Sequence, residues 1–121
     1  MATIKSFTDI SQSKKLAEIL PIESADMYYE EVCNLPKVIV GNYILHNQCM
    51  EDKDYKKLSN PVLSPAWSLA ALLDALPSAT LDSSDDHHYR VHCNERFTNW
   101  HNNPIDACVT MIERLYELNL L

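Results

Sequence analysis

The run Asp85-Asp86-His87-His88-Tyr89-Arg90-Val91-His92-Cys93, with His101 downstream and His46 and Cys49 upstream, collects the residue types that ligate metals. Zinc needs its imidazole and thiolate ligands about 2 Å from one point. Residues 88–93 alternate as a strand does. On a strand His88 and His92 share a face but stand about 13 Å apart, at a rise of about 3.3 Å per residue, with Arg90 between them. One strand cannot close a chelate through that pair. A site would need His92 joined by a neighbouring strand, through Thr98 or Trp100, which are not usual zinc ligands, or by His101. The spacing therefore predicts solvent-facing histidines on a half-exposed strand, with no metal and no cofactor. A metal-binding protein using His87, His88, His92 and His101 is the alternative reading.

Nucleophilic chemistry has one set of candidates. A cysteine hydrolase pairs a thiolate with a histidine and an orienting acid or amide, which here would be Cys93 with His101 or His46 and Asn94. Alternation puts Cys93 on the face shared by Tyr89 and Val91, the face expected to be buried, and a buried thiol is inert. No catalytic residue is assigned. The paired carboxylates Glu30-Glu31 and Asp85-Asp86 are adjacent in sequence. Neighbours on a strand point to opposite faces and cannot share a substrate, and Asp85-Asp86 reads as a solvated turn.

The net charge of −7 comes from blocks: Glu23, Asp26, Glu30 and Glu31, then Asp82, Asp85 and Asp86. No basic stripe follows a helix, which argues against sequence-independent binding to nucleic acid. The acidic blocks could imitate the charge spacing of DNA, making the chain a DNA-mimic inhibitor, but Lys53, Lys56 and Lys57 interrupt the pattern. Tyr28, Tyr29, Tyr43, Tyr55, Phe97 and Trp100 could stack bases; without a positive groove they read as strand residues covering the helices.

Gly41 is the only glycine. Phosphate-cradling loops, dinucleotide turns and nucleophile elbows require several glycines, so those chemistries are excluded. With 46% hydrophobic and 22% charged residues in 121 positions, the chain fits a single domain, 1–121, able to bury a core without metal or disulfide. Cys33, Cys49, Cys93 and Cys108 are scattered and read as reduced core residues. The absence of a signal-like or membrane-spanning apolar stretch predicts a cytoplasmic protein with no membrane partner.

Three helices must position these residues. Asn103 caps a helix with Pro104 at its first position and Asp106 near the positive end of its dipole; Ile105, Cys108, Val109, Ile112, Leu115 and Tyr116 form its apolar stripe. Ser64 and Pro65 offer the same start chemistry for a central helix that runs to Pro77 and carries Trp67 as a core anchor. Residues 11–20 form a shorter helix. Strands are expected over 25–32, 38–40 and 43–45 (a hairpin about Gly41-Asn42), 89–93 and 96–100, with a charged loop at 50–60. The order predicts an α+β fold: an antiparallel sheet of about four to five strands with about three helices packed mainly on one face.

Three blocks, SKKLAEILPIESADMYY, PAWSLAALLDALP and NPIDACVTMIERLYELNLL, cover about 40% of the chain. In that order they resemble short, uncharacterised proteins of phages, prophages and mobile elements of gut bacteria. The resemblance implies a bacterial setting and carries no catalytic residue with it. The function expected is that of a small acidic bacterial or phage protein, a non-enzymatic module for protein–protein interaction. Leu118-Asn119-Leu120-Leu121 leaves apolar side chains beyond the last helix. They either fold back or meet a second copy, and a homodimer is the expectation.

Overall fold

The computed structural model describes residues 5–32, 35–40 and 62–121. The expected turn at Gly41-Asn42, the second hairpin strand at 43–45, the loop at 50–60 and the residues Cys33, His46 and Cys49 lie outside them. The chain divides into two compact units: residues 9–67, and residues 1–8 together with 68–121.

The 9–67 unit opens with helix α1, Ile10–Ala17. Its start is one residue before the expected segment because Asp9 and Gln12 form a capping box, each side chain bonding the other's backbone N–H at 2.8 and 3.1 Å. After a 3-10 turn at Ile22–Ser24 come strands β1 (Met27–Val32), β2 (Leu35–Val40) and β3 (Val62–Ala66). They pair antiparallel in the order β2-β1-β3. Both outer strands contain a proline, Pro36 opposite Glu31 and Pro65 opposite Tyr28. Edge strands are where a residue without an N–H is tolerated. Helix α1 packs against β3.

Pro65 is where the sequence misleads. Ser64 and Pro65 do not start a helix; they lie in β3, and the next helix, α2 (Leu69–Ala75), is capped four residues later by Ser68. The Ser68 hydroxyl accepts from the Ala71 N–H at 3.2 Å, and its carbonyl accepts from Leu72 at 3.0 Å. Ladder pairing with β1 and burial of Ala66 and Trp67 outweigh the local preference for proline at a first helical position. Trp67 is fully buried as expected, though outside any helix, and its indole N–H donates to the Ser24 hydroxyl at 2.9 Å.

In the other unit Phe7 bridges to Ser68, and Lys5 pairs with Asp106 at 2.8 Å, so the segment preceding residue 9 rejoins the chain where it resumes at Ser68. After α2 come strands β4 (Ala79–Ser83), β5 (Tyr89–Cys93) and β6 (Arg96–Phe97), antiparallel in that order, then helix α3 (Pro104–Glu117). Asn103 caps α3 as expected, its side chain accepting from the Asp106 N–H at 2.9 Å. Helix α3 packs on β5 and on α2. It buries Ile105, Ala107, Cys108, Val109, Met111, Ile112 and Leu115, whereas α2 fully buries only Leu72, so α3 and not α2 is the central helix.

The described strands thus form two three-stranded sheets in place of the single sheet of four to five strands expected. Local hairpin signals fix which strands pair with their neighbours but not whether successive hairpins join. The α+β character and antiparallel pairing are as read from sequence. Among the described residues no helix is long and apolar enough to cross a membrane.

With its single glycine lying outside these segments, the chain takes left-handed backbone at Ser78, His87, Asn94 and Asn119, with φ between 48° and 60°. Asn119 closes α3: its N–H bonds to the Tyr116 carbonyl, and that of Leu120 reaches back to Leu115 at 2.8 Å. This is a Schellman closure with asparagine in the position usual for glycine. The backbone beyond α3 therefore folds back, yet Leu118, Leu120 and Leu121 remain exposed.

Candidate interaction surface

The sheet β4-β5-β6 has two unlike faces. Tyr89, Val91 and Cys93 alternate toward α3, with Val91 and Cys93 buried. Arg90 and His92 alternate the other way. The register sets Asp82 beside Arg90 and Phe97 beside His92, so these four side chains share the outer face.

The return from β6 brings a fifth residue there. Thr98 pairs with Val91: its N–H donates to the Val91 carbonyl at 3.0 Å, and its buried hydroxyl accepts from the Val91 N–H at 3.0 Å. His101 then pairs with Tyr89 through two bonds of 2.7 Å. Three steps of the returning segment thus face two steps of β5, which is a β-bulge. Strict alternation from an outward Phe97 would turn Trp100 inward and His101 outward. The extra residue reverses both.

Trp100 consequently lies over the Arg90 guanidinium, 4.6 Å from it to ring centroid. The same guanidinium stands 4.9 Å from the Phe97 ring, and Phe97 stacks on His92 at 4.9 Å with 28° between the planes. Four flat groups form one row, Trp100, Arg90, Phe97, His92. Asp82 ties it together, accepting from Arg90 Nε at 3.0 Å and standing 3.6 Å from His92 Nε2. Arg114 of α3 donates to the Phe97 carbonyl at 2.6 Å and holds the β6 end. Cation–aromatic contacts at exposed sites are each worth about 0.5–1 kcal/mol. Their joint effect is to fix rotamers in a row whose two large rings stay open: Phe97 and Trp100 are each 46% exposed. These two rings do not cover a helix, as was expected of them. Tyr28 and Tyr29 are buried.

The residues of the metal reading are dispersed. His87 and His88 are exposed in the β4–β5 turn, where Ser84 accepts from both of their backbone N–H groups. His92 is in the stacked row. His101 is turned inward by the bulge, its Nε2 buried without a hydrogen-bond partner. Neither Thr98 nor Trp100 joins His92 in a ligand set. Among the described residues no three His, Cys, Asp or Glu side chains converge on one point.

The thiols are similarly placed against nucleophilic chemistry. Burial pushes Cys93 up from 9.0, and burial together with the neighbouring Cys93 pushes Cys108 up to about 12. His101 is level with Tyr89, at the opposite end of β5 from Cys93, so a thiol–imidazole pair does not form. Cys93 forms part of an open groove of about 680 Å³ with Pro77, Asn94, Glu95, Arg96, Leu115 and Leu120. Asp85 and Asp86 are exposed in the turn, as expected.

The sequence had presented the stacked residues as separate features, and only the bulge assembles them. Asn99, a poor strand former directly before Trp100, is the one local sign of it. Comparison with protein-family models, curated proteins and solved structures gives no match.

Proposed function

We propose that this protein is a non-enzymatic interaction module that binds a protein partner through the outer face of the β4-β5-β6 sheet. The observation carrying the reading is the row Trp100-Arg90-Phe97-His92, in which two half-exposed rings both contact one guanidinium. Tryptophan, arginine and other aromatics dominate binding hot spots. Side chains ordered before binding lose less entropy on association. The resemblance to mobile-element proteins makes a bacterial host extract the source of partner to use.

Affinity capture from such an extract tests the reading, with the parent, Trp100→Ala and Phe97→Ala as baits, each checked by thermal melting. A protein recovered with the parent should fall by at least about tenfold with either variant. Equal recovery by all three baits, or no recovery, overturns the proposal.

A further inference from the structure

An edge strand presents a row of backbone groups that can pair with another strand unless something blocks it. Of the edges of the two sheets, β2, β3 and β6 are blocked. Pro36 lies in β2 and Pro65 in β3, and β6 is two residues long before the bulge. The remaining edge is β4, Ala79-Thr80-Leu81-Asp82-Ser83, which has no proline, no lysine and no bulge in its register with β5. Its one charge, Asp82, is held by Arg90 at 3.0 Å on the outer face.

The pairing shows which groups of β4 are left over. In β5, Tyr89 directs both backbone groups to His101, and Val91 directs both to Thr98. Their partners in β4, Ser83 and Leu81, therefore turn N–H and C=O away from β5, and alternation adds Ala79. The bond from the Ser84 N–H to the His88 carbonyl, at 2.9 Å, fits the same alternation. Among the described residues nothing bonds the main chain of Ala79, Leu81 or Ser83. Thr80 and Ser83 are exposed, and Ala79 and Leu81 are half-buried.

A row with a donor and an acceptor on every second residue is complementary to its own copy run antiparallel. Centred on Leu81, the match sets Leu81 against Leu81 of the second copy and Ala79 against its Ser83, twice by symmetry. At two bonds per narrow pair this makes about six backbone hydrogen bonds. On the outer face the same register puts the Thr80 hydroxyl opposite the second copy's Asp82 carboxylate, with no like charges directly opposed. On the inner face the leucines meet, and Ala79 and Ser83 are small enough for close approach. An extended peptide of another protein would need pockets beside the edge for its alternate side chains. The groove beside Cys93 has no β4 residue in its lining.

We infer that β4 pairs antiparallel with β4 of a second copy, about a two-fold axis at Leu81, so that two β4-β5-β6 sheets become one continuous sheet. Such an axis is perpendicular to the sheet, which leaves both Trp100 rows on one side and uncovered. The inference goes beyond the interaction reading above and does not depend on it. It also differs from a dimer formed through the leucines beyond α3.

Sedimentation equilibrium on the full chain, from micromolar to millimolar concentration, tests it together with amide hydrogen exchange. One strand pairing is a small contact, so the mass should rise reversibly from one chain to two as concentration increases. Ser83→Pro removes an outward N–H and no bond to β5. Because it acts twice in a two-fold pair, it should weaken the dimer by at least about tenfold while the chain melts as the parent does. In the parent, exchange at the Leu81 and Ser83 amides should slow by about tenfold on concentration, whereas the Thr80 and Asp82 amides, bonded to β5, stay protected throughout.

A one-chain mass at every concentration overturns the inference. So does a dimer that Trp100→Ala dissociates, or one in which the Leu81 and Ser83 amides exchange as fast as in the monomer. Should Ser83→Pro fail to fold, the exchange pattern of the parent still decides. A monomeric parent that captures an extract protein through Trp100 sinks this inference alone, and a β4 dimer that captures nothing sinks only the interaction reading.

Discussion

The two three-stranded sheets share a plan and differ in what they do with their aromatics. Each is antiparallel, and each packs one strand against a helix, β3 against α1 and β5 against α3. In the first, the consecutive residues Tyr28 and Tyr29 point to opposite faces of β1 and are both buried, at 6% and 8% exposure. From Met27 to Tyr29 that central strand is buried on both sides. In the second, β5 buries Val91 and Cys93 on one side while Arg90 and His92 meet solvent on the other, and the neighbouring Phe97 and Trp100 stay half exposed. Residue type does not separate the two cases, since aromatics occupy both. What separates them is register, together with one extra residue between Thr98 and His101 that sends Trp100 outward.

Trp67 sits fully buried at the end of the first sheet, so Trp67→Ala should test the comparison most severely. A loss of about 3 kcal/mol or more is expected from the cavity alone, and the Ser24 hydroxyl also loses its indole donor. A denaturation midpoint equal to the parent's would show that the first sheet is not buried at that edge.

A matched pair of aromatic truncations comes next. Tyr28→Ala should cost about 3 kcal/mol and Phe97→Ala no more than about 1 kcal/mol, because only the first empties a packed site. Equal losses in urea denaturation would erase the distinction between the sheets.

Ser64 and Ser68 sharpen the boundary between the two units. Ser68→Ala should destabilise by about 1 kcal/mol through loss of the α2 cap, with Asn103→Ala behaving similarly at α3, while Ser64→Ala in strand β3 should change little. The reverse ranking in thermal melts would restore the helix start that the Ser-Pro pair suggests.

The smallest effect near neutrality concerns the buried side of the second sheet. Cys108, raised from 9.0 to about 12, keeps its proton in the folded state at pH values where an unfolded thiol ionises. Its contribution is therefore fully present below about pH 9 and is lost as pH rises toward about 12, with no change between pH 6 and 8. Denaturant midpoints of the parent and Cys108→Ala, compared across that alkaline range, should diverge in slope. Parallel slopes would mean that water reaches the inner face of β5.

Much of the scaffold was legible because its signals are local. Asn103-Pro104 with the apolar stripe behind it defined α3, the alternation of Tyr89 to Cys93 defined β5, and Trp67 was recognisable as core. The missed elements have non-local causes. Ser64-Pro65 carries the same cap chemistry as Asn103-Pro104, and only the ladder with β1, more than thirty residues away by sequence, makes it a strand. The candidate surface was legible only as separate parts: a histidine strand, an arginine between its histidines, and two aromatics read as helix cover.

By itself the sequence determined the class of fold, the exclusion of glycine-dependent phosphate and nucleophile loops, the caps of α3, and the inward assignment of Val91 and Cys93. Those follow from nearest-neighbour chemistry and from helix and strand periodicity, which are properties of short segments. The tertiary structure decided the division into two sheets, the strand fate of Pro65, and the reversal of Trp100 and His101. Each of these depends on which distant backbone supplies a hydrogen bond. A single residue of slip in that pairing exchanges the two faces of a strand, and no count of apolar residues along the chain records it.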